Sequence, residues 1–416
     1  MPARARHCKM YLLYIFQQAM ATLIRIEEPD PAPARRPEWD AFMSLGFRPL
    51  YLLGCAWAAV AVALWIFAPQ WLQPPLAGVA WHAHEMLWGF VATIAVGFLM
   101  TAGANWTGIN PLRAAALAAA CALWIVARAG FLAGGTPAFW VAAAAELAFF
   151  ALAAGAMARV VIRSRNRRNA GVPLLMLALA ASDAAFLATA LQGDDYTLLM
   201  QRLQVGLLCM ALVALLIARR VIPFFAMRAV PGLVIPMHEK SGQVQIGAGV
   251  VAVLALVAGP PALQAAGLAS AGAIAIWQVI AWKPLAVRAR PILWILYAGY
   301  AGLGLGLLAA AAQAAGAELR NAVPVHLVAM AGFSVLIIGM VTRTALGHLG
   351  RGLKLDRSMV ASYWLVIAAV ALRLAALWPS AAAAHLLHLS AAAWIAAFGL
   401  YLWRFVPWLI RPRPDA

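Results

Sequence analysis

Most of the chain consists of apolar runs long enough to cross a lipid bilayer, and this limits the possible folds more than any other feature. A spanning helix needs roughly 20 mostly apolar residues. Because a bilayer core offers the backbone no water, such runs are expected to be α-helical. The sequence therefore predicts an all-α, polytopic membrane helical bundle of about twelve spans. The predicted spans are 49–68, 83–102, 113–133, 138–160, 172–192, 197–218, 245–259, 262–282, 291–312, 323–346, 358–378 and 384–405.

The seventh predicted span is the weakest of the set. It is short, and only Pro260 and Pro261 separate it from the eighth. We expect it to be tilted, re-entrant, or merged with the eighth span into a broken hairpin.

Composition supports a membrane protein and argues against a nucleic-acid partner. The 416 residues are 65% hydrophobic and 11% charged, whereas globular domains are about half apolar and a quarter charged. The net charge of +17 arises from basic residues spread between the apolar runs, and not from one basic helix or arm. We therefore expect a lipid bilayer as the partner, and no nucleic acid.

The basic residues also predict an orientation. Counting twelve spans, Lys and Arg concentrate in alternate loops, which include residues 159–168, 219–240, 283–290 and 343–357. The intervening loops contain almost none, with Arg320 as the exception. Since cytoplasmic loops carry the excess of Lys and Arg, both termini are predicted to be cytoplasmic. An eleven-span count would break this alternation.

The predicted organisation is a cytoplasmic tail over residues 1–47, a transmembrane domain over 48–405, and a second cytoplasmic tail over 406–416. The first 19 residues have a basic head and a short apolar run that resemble a signal peptide. An acidic, proline-rich segment follows and gives no globular domain to export. We expect a short tail whose true start is Met20.

Histidines gather at the predicted outer ends of the spans. His82 and His84 precede span two, beside Glu85, and His326 begins span ten. Neutral imidazole binds haem iron and copper, and its second nitrogen needs a carboxylate or carbonyl partner. His82, His84 and His326 are therefore candidate metal or haem ligands, and Glu85 is a candidate supporting acceptor or proton carrier. The alternative is that they hydrogen-bond to water and headgroups.

Two further histidines are weaker candidates. His385 and His388 open span twelve and share a helix face, but the water-exposed end of a helix explains them equally well. His348 lies at the other end of span ten, at the inner side.

Charged residues within the spans need an explanation, since charge is costly there. Asp183 lies midway along span five and is expected to be functional or hydrogen-bonded. Arg343 needs a partner such as a carbonyl group or an acid. Arg219 and Arg220 end span six, where arginines either reach for headgroups or pair with a haem propionate, and Pro223 is expected to end that helix.

Four stretches resemble the NnrS family of bacterial membrane proteins. They are LGFRPLYLLG at 45–54, WHAHEMLWGFVATIAVGFLMTAGANWTG at 81–108, RVIPFFAMRA at 220–229 and VHLVAMAGFSVLIIGMVTRTALGHLGR at 325–351. The resemblance implies a twelve-span bacterial inner-membrane protein that contains haem and copper. It also implies a link to nitric oxide metabolism, denitrification or resistance to nitrosative stress, but it does not define a reaction.

The resemblance also marks candidate residues. It implies a cofactor-binding role for five residues: His82, His84, His326, His348 and Arg220. It implies a supporting or proton-carrying role for Glu85, Arg343 and Arg351, and the position of Asp183 within a span adds that residue to the second group.

This sequence departs from the family pattern at four positions. Asp183 stands where an asparagine is expected, Leu187 and Tyr297 stand where histidines are expected, and Arg219 replaces a glycine. Tyrosine can bind haem iron, so Tyr297 is a weaker candidate ligand, whereas leucine cannot. If the missing histidines are ligands in relatives, this chain binds fewer cofactors or none.

Three functions remain open at this point. The first is a haem- or copper-bearing protein with nitric oxide as its ligand or substrate. The second is a proton-coupled small-molecule transporter without a redox cofactor, in which Asp183 and Glu85 carry protons. The third is a sensor or assembly factor that only holds the cofactor. Haem-copper oxygen reductases also have twelve spans, but no helix here offers their set of intramembrane histidines.

Overall fold

The computed structural model describes residues 36–193 and 195–414, and within these ranges it contains helices and no β-strand. Twelve of the helices are long and apolar enough to cross a membrane, which confirms the predicted fold class and span number. The predicted start at Met20 and the tail up to residue 35 lie outside the described residues. In chain order the helices are α1 Phe47–Phe67, α2 Gly78–Thr107, α3 Ala114–Ala133, α4 Thr136–Arg163, α5 Arg167–Gln192, α6 Tyr196–Ala229, α7 Glu239–Ala258, α8 Pro261–Ala281, α9 Pro291–Ala314, α10 Ala322–His348, α11 Arg357–Ala375 and α12 Ala383–Leu409.

The weak seventh span is a separate helix of 20 residues. The predicted span began at Gln245 and missed the first turns of the helix, because these contain the polar residues Glu239, Lys240 and Gln243. The Gln245 side chain is buried and satisfied: its amide nitrogen donates to the Ala271 carbonyl at 3.1 Å, and its oxygen accepts from the Tyr300 hydroxyl at 3.2 Å. Helices α7 and α8 meet at Gly259 and Pro260, so the predicted merger into one broken hairpin is wrong.

Helix α6 continues through Pro223, so the prediction that this proline ends the helix is also wrong. Proline removes one N–H from the helical ladder, and membrane helices tolerate this where neighbouring groups satisfy the freed carbonyl. As a result Arg219, Arg220 and Arg228 lie on one uninterrupted helix of 34 residues.

Helix α2 is the centre of the bundle. In its most apolar stretch 83% of the residues are buried, against 28–67% in the other eleven spans. It touches α1, α4, α6 and α10. Both α2 and α10 contain a stretch of π-helix, at Glu85–Ala92 and Leu327–Ser334, and π-helical turns occur often at functional sites.

Helix α9 packs closely on the π-helical stretch of α10 because its contact face carries glycines. A Cβ atom on Gly306 would lie 2.7 Å from the backbone nitrogen of Val328, and one on Gly302 would strike the carbonyl of Ala331. Small residues allow this approach between membrane helices.

The two ends of the described chain meet at one face of the bundle. The Glu38 amide donates to the Ile410 carbonyl at 2.9 Å. The Arg48 guanidinium donates to the carbonyls of Leu409 and Arg411 at 2.8 and 2.7 Å. An even number of spans requires this arrangement.

The loop before α11 carries a capped helix start at Asp356. Its carboxylate accepts from the Met359 amide at 3.0 Å and the Ser358 hydroxyl at 2.6 Å, and Arg404 Nε lies 2.6 Å away. Burial alone would raise the pKa of Asp356, but these hydrogen bonds and the charge of Arg404 hold that pKa below its ordinary value.

We predict that Asp356→Ala lowers the free energy of unfolding at pH 7 by about 1 kcal/mol, the usual worth of an N-cap. Asp356→Asn should lower the free energy of unfolding by less, because Asn also caps helices. A carboxyl group whose pKa is lowered by folding stabilises the fold above its unfolded pKa, about 4. The advantage of wild type over Asp356→Asn should therefore disappear as the pH falls below 4. Thermal unfolding in detergent from pH 3 to pH 7 measures both effects, and equal losses in the two variants would contradict the capping role.

Candidate functional site

A cavity of about 230 Å³ lies among α1, α2, α6, α10, α11 and α12. Its lining is mostly apolar but includes His82, His326 and Arg373, and no acidic residue within the described part of the chain lines it. We call it the histidine cavity. The structure therefore brings two of the three histidines predicted as ligands to one space, from α2 and α10.

His82 is held by an aromatic contact. Its ring stacks on Trp65 of α1, with the centroids 5.2 Å apart and the planes 13° from parallel. Its Nδ1 atom is buried and makes no hydrogen bond to the described residues. An unpartnered buried nitrogen is costly, so this atom is available to a ligand.

His326 has the hydrogen-bonding pattern of a metal-binding imidazole. Arg373 Nε donates to its Nε2 at 3.2 Å, so Nδ1 carries the ring proton and donates to the Ala322 carbonyl at 2.7 Å. A carbonyl partner on the second nitrogen fixes the tautomer and the ring orientation of metal-binding histidines. The Nε2 lone pair is then the one available to a ligand, which would replace the Arg373 N–H as its partner.

The two histidine-bearing helices repeat one pattern. Met86 follows His82 by four residues, Met330 follows His326 by four residues, and both methionines line the histidine cavity. Thioether sulfur and imidazole together suit Cu(I), and they also serve as a ligand pair for haem iron. Sequence reasoning overlooked the methionines, although the shared spacing was visible in the sequence.

His84 is not part of the histidine cavity. It lies in a buried group formed by His84, Glu85, Arg128, Glu146 and Asp183, contributed by α2, α3, α4 and α5, which we call the charge cluster. All five side chains are at most 3% exposed. His84 therefore lies apart from His82 and His326, the two predicted ligands that share the histidine cavity.

The charge cluster is centred on the imidazole ring and the guanidinium group. His84 Nδ1 lies 3.0 Å from Glu85, and its Nε2 lies 3.1 Å from Asp183 and 3.2 Å from Glu146. Arg128 pairs with Glu85 at 2.6 Å and with Glu146 at 2.5 Å. Every member thus has a partner of opposite charge, as buried charges require.

Even with the His84 imidazole protonated, the charge cluster is one positive charge short. Three carboxyl groups face one guanidinium and one imidazole, so neutrality requires an additional proton or a bound cation. His84, Glu146 and Asp183 each offer a ligand atom, and these atoms lie within 4.8 Å of one another. One nitrogen and two carboxylate oxygens are a reasonable donor set for a transition-metal ion, and Asp183 Oδ2 has no hydrogen-bond partner among the described residues.

Sequence reasoning identified Glu85 and Asp183 but missed Arg128 and Glu146. Both missed residues lie within predicted spans, 113–133 and 138–160, so their position in the membrane should have singled them out.

A second polar cavity, of about 800 Å³, lies at the opposite ends of α2, α6 and α10. It contains Arg220, Arg343 and His348, three of the predicted residues, together with Arg168 and Arg228. We call it the arginine cavity. Arg343 was expected to pair with a carbonyl group or an acid; instead its guanidinium carbon lies over an aromatic ring, 3.7 Å from the centroid of Phe225.

An apolar cavity of about 90 Å³ lies between the other two. It shares Val91 and Phe333 with the histidine cavity and Phe98, Ile217 and Val221 with the arginine cavity. The three spaces therefore follow one another along the bundle.

The remaining candidates lie outside these sites. His385 and His388 are exposed on α12, where His388 stacks on Phe67 at 5.6 Å. Arg351 lies over the ring of Trp408 at 3.9 Å. The Tyr297 hydroxyl donates to the Trp282 carbonyl at 3.2 Å.

The charge cluster predicts a large effect of removing its guanidinium. Arg128→Met should lower the free energy of unfolding by about 3–5 kcal/mol, because it leaves buried carboxylates uncompensated. The double variant Arg128→Met with Glu146→Gln should regain part of the lost free energy of unfolding. Arg113→Met, an exposed site at the start of α3, is the matched control and should change little. Thermal unfolding in detergent checks all three, and equal effects at positions 113 and 128 would refute the role of Arg128.

The comparison with curated proteins gave no match. The comparison with protein families matched residues 41–413 to the family described as NnrS protein. This range covers all twelve spans, the histidine cavity, the charge cluster and the arginine cavity. The chain belongs to the NnrS family.

Proposed function

We propose that this protein binds haem or copper in the histidine cavity and acts in nitric oxide metabolism or in resistance to nitrosative stress. The observation that carries the proposal is the meeting of His82 and His326, from two distant spans, in one mostly apolar cavity. Membership of the NnrS family supplies the nature of the cofactor and the link to nitric oxide. The proposal covers binding and physiological role, and does not extend to a particular reaction.

The donor atoms of the cavity fit such a group. His82 Nδ1 has no hydrogen-bond partner among the described residues, and His326 has its proton fixed on the nitrogen that faces the Ala322 carbonyl. Met86 and Met330 add soft sulfur donors. A bound haem iron or copper ion would supply a coordination position for nitric oxide and one-electron redox chemistry.

Arg373 is the basic residue beside these ligands. Its Nε–H donates to His326 Nε2 at 3.2 Å. A cofactor bound at Nε2 would take the place of this donor, and the charge of Arg373 would then balance an anionic group such as a haem propionate. The apolar remainder of the lining disfavours ions, which lose hydration there without compensation, and admits small uncharged molecules.

The location that goes with this function is the bacterial inner membrane, with both termini in the cytoplasm. The Lys and Arg distribution supports that orientation, as does the meeting of the chain ends at one face.

A reporter experiment tests the orientation. A green fluorescent protein fused after residue 416 should fluoresce in intact bacteria, because it folds in the cytoplasm, and alkaline phosphatase at the same position should be inactive. Fusion within the 192–197 loop should give the opposite pair of results. An active phosphatase at the C-terminus would contradict the proposed orientation.

A proton-coupled transporter is the second candidate, and one observation favours it. Glu85 and Asp183, the proposed carriers, lie on the two nitrogens of His84 at 3.0 and 3.1 Å. A carboxyl–imidazole–carboxyl chain of this kind can pass a proton from one acid to the other. Such a protein would need no redox cofactor.

We predict that His82→Ala and His326→Ala each reduce bound haem or copper by at least about tenfold, while His385→Ala leaves it unchanged. His385 is the matched control because it is an exposed histidine at the same end of the bundle, outside the cavity. Absorption spectroscopy and elemental analysis of detergent-purified protein, from cells supplied with haem and copper, measure the bound cofactor.

Two outcomes would overturn this assignment. Full cofactor content in both cavity variants would contradict the histidine cavity as the binding site. Wild-type protein that contains neither haem nor copper would contradict the proposed function, and a measurement of proton flux in proteoliposomes would then test the transporter.

A further inference from the structure

The arginine cavity has an unbalanced charge. Four arginines and His348 line it, and among the described residues no aspartate or glutamate does so. One of the four, Arg168, meets an acid: it pairs with Glu239 at 3.3 Å, and both of those side chains are about two-thirds exposed to solvent. An exposed pair of this kind contributes little, so it does not neutralise the cavity.

Arg343 is the buried member of the set. Its side chain is 8% exposed, and its guanidinium carbon lies 3.7 Å from the centroid of the Phe225 ring. The Nη1 atom is buried without a hydrogen-bond partner among the described residues. Arginines at a membrane surface usually extend to the headgroups, whereas this one is held inside the bundle, lines the cavity and keeps one donor unpaired.

Arg220 is positioned by the first residues of α5. Its Nη1 donates to the Asn169 side chain at 2.7 Å, and its Nη2 donates to the Arg168 carbonyl at 3.2 Å. Its Nε atom is buried without a partner among the described residues. Two guanidinium groups with unpaired donors therefore line one space, and their orientation is already fixed.

This arrangement suits a multi-oxygen anion. A guanidinium group presents planar, paired donors that match phosphate and carboxylate oxygens. A fixed pair of them reduces the entropy lost on binding.

We propose that the arginine cavity is a binding site for a phosphate group, either free inorganic phosphate or the headgroup of an anionic lipid. Arg343 and Arg220 bind its oxygens, and Arg228 adds charge at the mouth of the cavity. The apolar cavity beyond it stops the anion from going further, so the site binds and does not conduct. The site lies apart from the histidine cavity and does not depend on the haem or copper proposal.

The test uses the full-length protein in nanodiscs of phosphatidylcholine, titrated with inorganic phosphate by calorimetry. Native mass spectrometry of protein offered phosphatidylglycerol forms the second arm. Arg343→Gln removes the buried donors. Arg228→Gln, at an exposed position, is the variant expected to fold normally. Arg167→Gln is the matched control, since it removes the same charge from the neighbour of Arg168 without touching the cavity.

We expect wild type and Arg167→Gln to bind equally, Arg343→Gln to bind at least about tenfold more weakly, and Arg228→Gln to bind severalfold more weakly. Binding of free phosphate supports a soluble anion. Retention of phosphatidylglycerol without phosphate binding, lost in the same two variants, supports a lipid headgroup. No binding in either arm, or equal binding in all four proteins, overturns the proposal.

Discussion

The need to neutralise charge inside a membrane bundle determines how α2 to α5 fit together. Arg128 binds acids from two other helices, and His84 joins them to a third, so the cluster fixes the rotation of four helices at once. Because a buried charge without a partner is expensive, these rotations have little freedom. His82 precedes His84 by two residues and therefore points away from the cluster on a helix. Anchoring His84 thus directs His82 into the histidine cavity.

The sequence was a good guide to depth in the membrane and a poor guide to direction around each helix. Apolar length located the twelve spans and put the histidines at their ends, because span length is a local property. It did not separate His84 from His326, since residues at one depth can face different neighbours. Arg128 and Glu146 were missed for the same reason: their pairing depends on how α3 and α4 pack. The prediction at Pro223 was wrong because a proline ends a helix only where no neighbouring group satisfies the backbone carbonyl that loses its hydrogen bond, and those neighbours are not visible in the sequence.

The three consecutive cavities have different consequences for charged and uncharged molecules. The middle cavity is lined by apolar side chains and one tyrosine, so an ion that leaves either polar cavity would lose its hydration there without compensation. A small uncharged molecule meets no such barrier. Nitric oxide, the ligand proposed for the histidine cavity, belongs to that class. The same lining separates the arginines at one end electrostatically from the histidines at the other.

That separation also bears on the choice between the two functions. A coupled transporter needs its proton carriers on the path of its substrate. The carriers Glu85 and Asp183 lie in the charge cluster, which lines none of the three cavities, while His82 on the next face of α2 lines one. A proton moving within the cluster would change the charge beside α2 without meeting a substrate in those cavities. The geometry therefore favours the cluster as the support that positions His82, and the cavity histidines as the groups that meet a ligand.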